Sequence, residues 1–212
     1  MTHRPLSELL DTESPAWPEL QKTIDAAKNS ASIIPPDPGA PDDLLKLQIT
    51  THSNLGALVI HTGGLLIDHG WVRLLASYSA RLLRSLVSWN AECGRQGLFL
   101  IGDDAIGGVF AINGGAFDGP AGNVFYFAPD TMSWEDMERG YSDFVRFLLG
   151  GELEAFYGGS RWDGWEADVA ALPGDRAFFT YPLLGTESTP VGQRSRGAVP
   201  LKELMELMGA IA

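Results

Sequence analysis

Leu98-Phe-Leu-Ile101, Val109-Phe-Ala-Ile112 and Val124-Phe-Tyr-Phe127 are three short apolar runs, rich in aromatic and branched residues. Each has the length and composition of a buried strand. The segments between them, Gly102-Asp-Asp-Ala-Ile-Gly-Gly108 and Asn113-Gly-Gly-Ala-Phe-Asp-Gly-Pro-Ala-Gly-Asn123, are turn-rich and leave no room for a crossover helix. Strands joined this way pair antiparallel, so the centre of the chain reads as a β-meander.

Upstream, Leu65-Leu-Ile67 and Trp71-Val-Arg-Leu-Leu75 add two strands around the turn Asp68-His-Gly70. Between Ser53 and Ile60 either a helix capped by Ser53 or Asn54, or a strand using Val59 and Ile60, fits the pattern. Ser85 to Glu92 reads as a short helix. Further back the chain is helical: Pro5 opens a turn before Leu6, Leu9 and Leu10, a second helix runs from Pro18 to Asn29, and a third from Asp42 to about Ile49. The four prolines and glycine of residues 34–41 exclude both helix and central strand and form an extended connector.

Downstream, Ser133 and Asp136 have capping-box spacing. Trp134, Met137, Tyr141, Phe144, Val145 and Leu148 then recur at helical steps until Gly150-Gly151, so one long amphipathic helix is expected. Trp162-Asp-Gly-Trp165 leads into a helix over Glu166–Ala171, and Phe178-Phe-Thr-Tyr181 reads as a strand. Residues 185–197 read as a mobile polar loop, and Pro200 begins a C-terminal helix. The sum is a single α+β domain over residues 1–212, with an antiparallel sheet of about five to seven strands and helices packed on it. It divides into a helical N-terminal extension (1–50), an α+β core (51–182) and a C-terminal helix (198–212).

Composition narrows the function classes. The chain carries 15 basic and 27 acidic residues, a net charge of −12, which repels phosphate backbones and argues against nucleic acid. The acid is concentrated: residues 130–175 hold 11 acids against 3 bases. A lone cysteine, Cys93, fits a reducing compartment, and no stretch is apolar enough to enter a membrane, so the expected location is cytoplasmic.

Motifs that carry chemistry are sparse. His52, His61 and His69 have no metal-site spacing, and no glycine pair belongs to a phosphate loop, a dinucleotide fingerprint or a nucleophile elbow. No metal or cofactor is expected. Candidate binding residues are Asp103 and Asp104 in the turn directly after a buried strand, His61 and His69 beside glycine turns, and Trp162 and Trp165 flanking a loop glycine. With Trp134, Phe156 and Tyr157 these tryptophans form an aromatic set suited to a groove.

Leu55-Gly-Ala-Leu-Val-Ile-His-Thr-Gly-Gly-Leu-Leu-Ile-Asp-His-Gly-Trp-Val-Arg-Leu-Leu75 and Ile101-Gly-Asp-Asp-Ala-Ile-Gly-Gly-Val-Phe-Ala-Ile-Asn113 resemble the hallmark segments of a bacterial family, domain of unknown function 2625. The order of strand, Gly-Asp-Asp, glycines, aromatic strand and helix is similar, more distantly, to SUKH domains, many of which are immunity proteins that neutralise toxins. These resemblances imply a SUKH-like α+β fold and protein binding, and they bring no active-site residues with them. The leading expectation is therefore a non-catalytic, immunity-protein-like interaction module with a protein partner that is basic. A small-ligand binder using the glycine turns and the Trp162/Trp165 loop comes second. A hydrolase or metal enzyme built on Asp103, Asp104 and His61 or His69 comes third.

Overall fold

A computed structural model describes residues 3–93, 95–186 and 189–211. Its centre is a seven-stranded sheet whose strands follow one another in sequence order, every neighbouring pair antiparallel. The strands are β1 (Ala31–Ile34), β2 (Gly64–Ile67), β3 (Val72–Leu75), β4 (Leu98–Asp104), β5 (Val109–Asn113), β6 (Asn123–Ala128) and β7 (Ser133–Gly140). The three apolar runs are β4, β5 and β6, the pairing expected from their short connections. A separate hairpin joins β8 (Arg176–Tyr181) to β9 (Ser195–Pro200). The amide of Phe178 donates to Ala105 O at 2.7 Å and ties that hairpin to the end of β4.

Helices pack on this frame. Four precede β2: α1 (Leu6–Leu9), α2 (Trp17–Asp25), α3 (Ala40–Leu47) and α4 (Asn54–His61). Ser53 caps α4 by accepting from Gly56 N at 3.1 Å, which resolves the helix-or-strand ambiguity there. Next come α5 (Leu86–Glu92), with a Ser85–Ser88 capping box, and α6 (Tyr141–Leu149). The chain ends with α7 (Leu153–Tyr157), α8 (Trp165–Ala171) and α9 (Leu201–Met208). Phe144 of α6 is fully buried 4.9 Å from the Phe110 ring of β5, while Asp143 and Arg146 face water, as the apolar stripe requires.

Three expectations need correction. Ser133–Gly140 is not the start of a helix but the edge strand β7, paired to β6 through Phe127↔Trp134 and Phe125↔Asp136. Asp136 caps no helix; its carboxylate accepts from Glu138 N at 2.8 Å, where the backbone turns to φ 54° and the register shifts. The helix itself begins only at Tyr141, after Gly140. The second correction concerns residues 34–41. Ile34 closes the edge strand β1, and Pro41 sits in the first turn of α3, where a missing N–H goes unused. The third lies in the polar stretch 185–197, whose last three residues already belong to β9. Residues 187 and 188 of that expected loop lie outside the described residues.

A buried aspartate pair and the cleft beside it

The expected turn at Gly102-Asp-Asp is also corrected, because β4 runs on through Asp104, held by β3 through Val72↔Asp104 and Arg73↔Asp103. Successive strand residues face opposite sides of a sheet. The two carboxylates are therefore sent apart, and both are fully buried.

Asp103 meets cations. Arg73 Nε donates to its Oδ1 at 2.6 Å and Arg73 Nη2 lies 2.5 Å from the same oxygen, while Arg84 Nη2 bonds Oδ2. Arg73 also donates to the carbonyls of Arg176, at 2.7 Å, and Asp104, at 3.1 Å. One ion cluster thus fastens β3, β4 and the C-terminal hairpin together. Arg84 lies 4.8 Å over the Trp89 ring, and its Nε and Nη1 have no hydrogen-bond partner. Burial pushes its guanidinium down from its ordinary value, with Asp103 acting in the opposite direction.

Asp104 meets neutral donors only. Its Oδ1 accepts from the amides of Gly108 at 2.7 Å and Ile106 at 3.0 Å. Its Oδ2 accepts from the hydroxyls of Tyr126 at 2.7 Å and Tyr157 at 3.0 Å. Burial pushes the Asp104 carboxyl up and the four donors pull it back; the same burial and the neighbouring carboxylate hold both tyrosines well above the ordinary phenol range. Gly108 has to be glycine, since a Cβ would collide with Asp104 Oδ2 and the Tyr126 hydroxyl.

Tyr126 and Tyr157 also line a cleft of about 260 Å³, with Phe156 beside them and Asp130, Glu135 and Ser160 among the polar residues around it. On the other side of Tyr157 lies an aromatic cage. Trp71 is fully buried against Tyr157, Trp162 and Trp165, with ring centroids 5.6, 5.7 and 5.1 Å away. The guanidinium of Arg161 sits over Trp165 at 4.5 Å, Trp71 at 5.3 Å and Tyr157 at 5.9 Å, and pairs with Asp68 and, at 2.5 Å, Glu154.

Of the six candidate residues, four join one run of contacts, and Asp103 stands on the opposite face of the sheet with Arg73 and Arg84. Asp104 bonds Tyr157, Tyr157 packs on Trp71, and Trp71 packs on Trp162 and Trp165. His69 reaches the run through Trp165, edge-on at 5.9 Å, and lies 3.9 Å from Glu166. His61 stands elsewhere, stacked on Trp17 at 4.6 Å, with its pKa lowered by burial. Trp162 is buried and donates Nε1–H to Asp168 at 2.7 Å. Phe156 and Tyr157 of the expected aromatic set do line the cleft, whereas Trp134 packs on Phe117 and Phe127. Arg73, Arg84 and Tyr126 went unpredicted; the only trace was a charge or a hydroxyl inside apolar runs. Among the described residues, no cluster of three or more His, Cys, Asp or Glu side chains is arranged to hold a metal, and no helix is long and apolar enough to cross a membrane.

The family described as "Protein of unknown function DUF2625" matches residues 6–204. The chain belongs to that family. It is 41% identical over 207 residues to "Putative uncharacterized protein YbfG" of Escherichia coli (strain K12), covering 96% of this chain and 95% of that protein. It is 35% identical over 205 residues to an "Uncharacterized protein" of Haemophilus influenzae, covering 93% and 90%. No solved structure matches. The more distant likeness to SUKH domains is carried by neither comparison.

Proposed function

We propose that this DUF2625 protein is a non-catalytic interaction module whose partner is a basic protein. One observation supports this above the rest: all eleven acids between Asp130 and Asp175 are exposed. The three arginines of that segment are engaged within the chain. Arg139 stacks over Phe147 at 4.7 Å, Arg146 pairs with Asp143, and Arg161 with Asp68 and Glu154. An excess of exposed acids draws an oppositely charged partner in and raises its association rate.

Both buried aspartates are occupied within the fold. Asp103 is neutralised by two arginines, and Asp104 already accepts four hydrogen bonds. Burial pushes the Cys93 thiol up to about 11, far from a thiolate at neutral pH. An immunity-type role, neutralising a basic protein, is the form of this reading that the SUKH likeness brings, and it rests on that likeness alone.

Partners recovered from a lysate of the source organism provide the test, by surface plasmon resonance at two salt concentrations. The screening length falls from about 10 Å at 0.1 M to about 3 Å at 1 M, so association should slow as salt rises. Glu152→Lys with Asp163→Lys should slow it further without unfolding the protein, as both residues are exposed. Glu154 is left intact because it holds Arg161. Association rates indifferent to both salt and charge reversal would refute the reading.

A further inference from the structure

The cleft beside Asp104 combines aromatic walls with acidic groups and contains no basic residue among those lining it. Tyr126 and Tyr157 each donate their hydroxyl hydrogen to Asp104, which leaves the phenol oxygens with lone pairs only. Phe156, partly exposed at 38%, adds an aromatic face, and Asp130 and Glu135 add carboxylates. Aromatic faces and carboxylates together attract cations, and a flat guanidinium suits them best because it can stack and hydrogen-bond at once.

The molecule contains an example of this chemistry next door. Arg161 is held by three aromatic rings and two carboxylates, and one of those rings, Tyr157, is also a wall of the cleft. The cleft repeats that environment without an arginine in it. Its volume, about 260 Å³, lies just under the range of about 300–1,000 Å³ usual for drug-sized ligands. That is room for one long side chain, not for a nucleotide or a flavin. We infer that the cleft receives an arginine side chain of the basic partner, its guanidinium set against Phe156 and paired with Glu135 or Asp130. This rests on the interaction reading above and names the group that would be recognised.

The probe is N-acetyl-arginine amide, titrated into the ¹⁵N-labelled protein. N-acetyl-citrulline amide, of the same shape but uncharged, serves as control. The arginine probe should shift the amides of Ile106, Gly108, Phe156 and Ser160 together and saturate on the order of millimolar, as expected of one anchored side chain. Citrulline should leave them in place. Phe156→Ala and Glu135→Gln, both at exposed positions, should each weaken binding about threefold or more. Shifts scattered over the exposed acids, equal shifts with citrulline, or wild-type affinity in both variants would each overturn the assignment. If Glu152→Lys/Asp163→Lys slows partner association while the cleft ignores the probe, the guanidinium site falls and the interaction reading stands. If the cleft binds the probe but association ignores charge, a free guanidinium compound replaces the partner side chain as the ligand, and the partner assignment falls.

Discussion

Asp103 and Asp104 are neighbours on one strand, both without solvent contact, and they are stabilised by opposite means. Asp103 faces two arginines and ends in a closed, charge-paired cluster that binds β3, β4 and the C-terminal hairpin. Asp104 faces two amides and two phenols, which satisfy its oxygens without cancelling its charge. The first arrangement uses its charges to hold the fold together. The second surrounds a carboxyl with neutral donors, two of them tyrosines that also line the cleft. The same residue type, one position apart, therefore meets two arginines on one face of the sheet and four neutral donors on the other, and the alternation of the strand decides which.

The sharpest way to break this contrast is Asp103→Asn. It leaves two guanidinium groups facing each other in the interior, one of them already short of partners at Nε and Nη1. Removing one partner of a buried ion cluster costs about 3–5 kcal/mol, and urea unfolding should show a loss of that order. A loss below about 1 kcal/mol, the level of a surface pair, would mean the cluster does not fasten the hairpin. Asp104→Asn should cost less, about 1–3 kcal/mol. The amide keeps one accepting oxygen, and both phenols can turn to accept from its nitrogen. A reversed ranking of the two variants would reverse the assignment of roles.

Acidity sharpens the comparison. Burial raises the Asp104 carboxyl above its ordinary value of 3.8, so the folded chain holds that proton more tightly than the unfolded chain does. Stability from this group is then fully present below that ordinary value and is lost as pH rises through the raised one. Asp104→Asn has no such proton. The stability gap between wild type and Asp104→Asn should therefore widen on acidification from about pH 7 to pH 4.5, by no more than about 1.4 kcal/mol per unit for a single group. Paired urea melts across that range measure it. A gap that narrows would mean that the four donors outweigh burial.

How much of this was legible depended on burial. The strands β2 to β6 could be read because their residues are almost all buried, and a short apolar run between turn residues fits little besides a core strand. The strands misread or missed, β1, β7 and β9, all lie at the margin of a sheet and are largely exposed. An edge strand in water keeps no strict alternation, and in β7 the three-residue step from Trp134 to Met137 imitates a helix. The family could be recognised in the segments around residues 55–75 and 101–113. The site was half legible. Asp103 and Asp104 stood out as acids after an apolar run, but their roles are set by Arg84, Tyr126 and Tyr157, which lie 19, 22 and 53 residues away along the chain. No local pattern carries such distances.

The smallest effect tests the Asp104 side from its donors. Tyr126→Phe and Tyr157→Phe each remove one hydroxyl and keep the ring, so the packing of Tyr126 on Phe110 and of Tyr157 on Trp71 survives. Each single change takes one of two donors from Oδ2, and a typical hydrogen bond contributes about 0.5–1.5 kcal/mol net. The double variant differs in kind, because it leaves Oδ2 buried with no donor at all. A buried oxygen without a partner loses its full solvation, so the double variant should cost more than the two singles combined, by about 0.5 kcal/mol or more. The excess should vanish on an Asp104→Asn background, where no charge has to be satisfied at that position. Urea midpoints for the cycle, with and without Asp104→Asn, give the coupling directly. Strict additivity would mean that the two phenols do not share one anion, and Asp104 would then lose the charge that distinguishes it from Asp103.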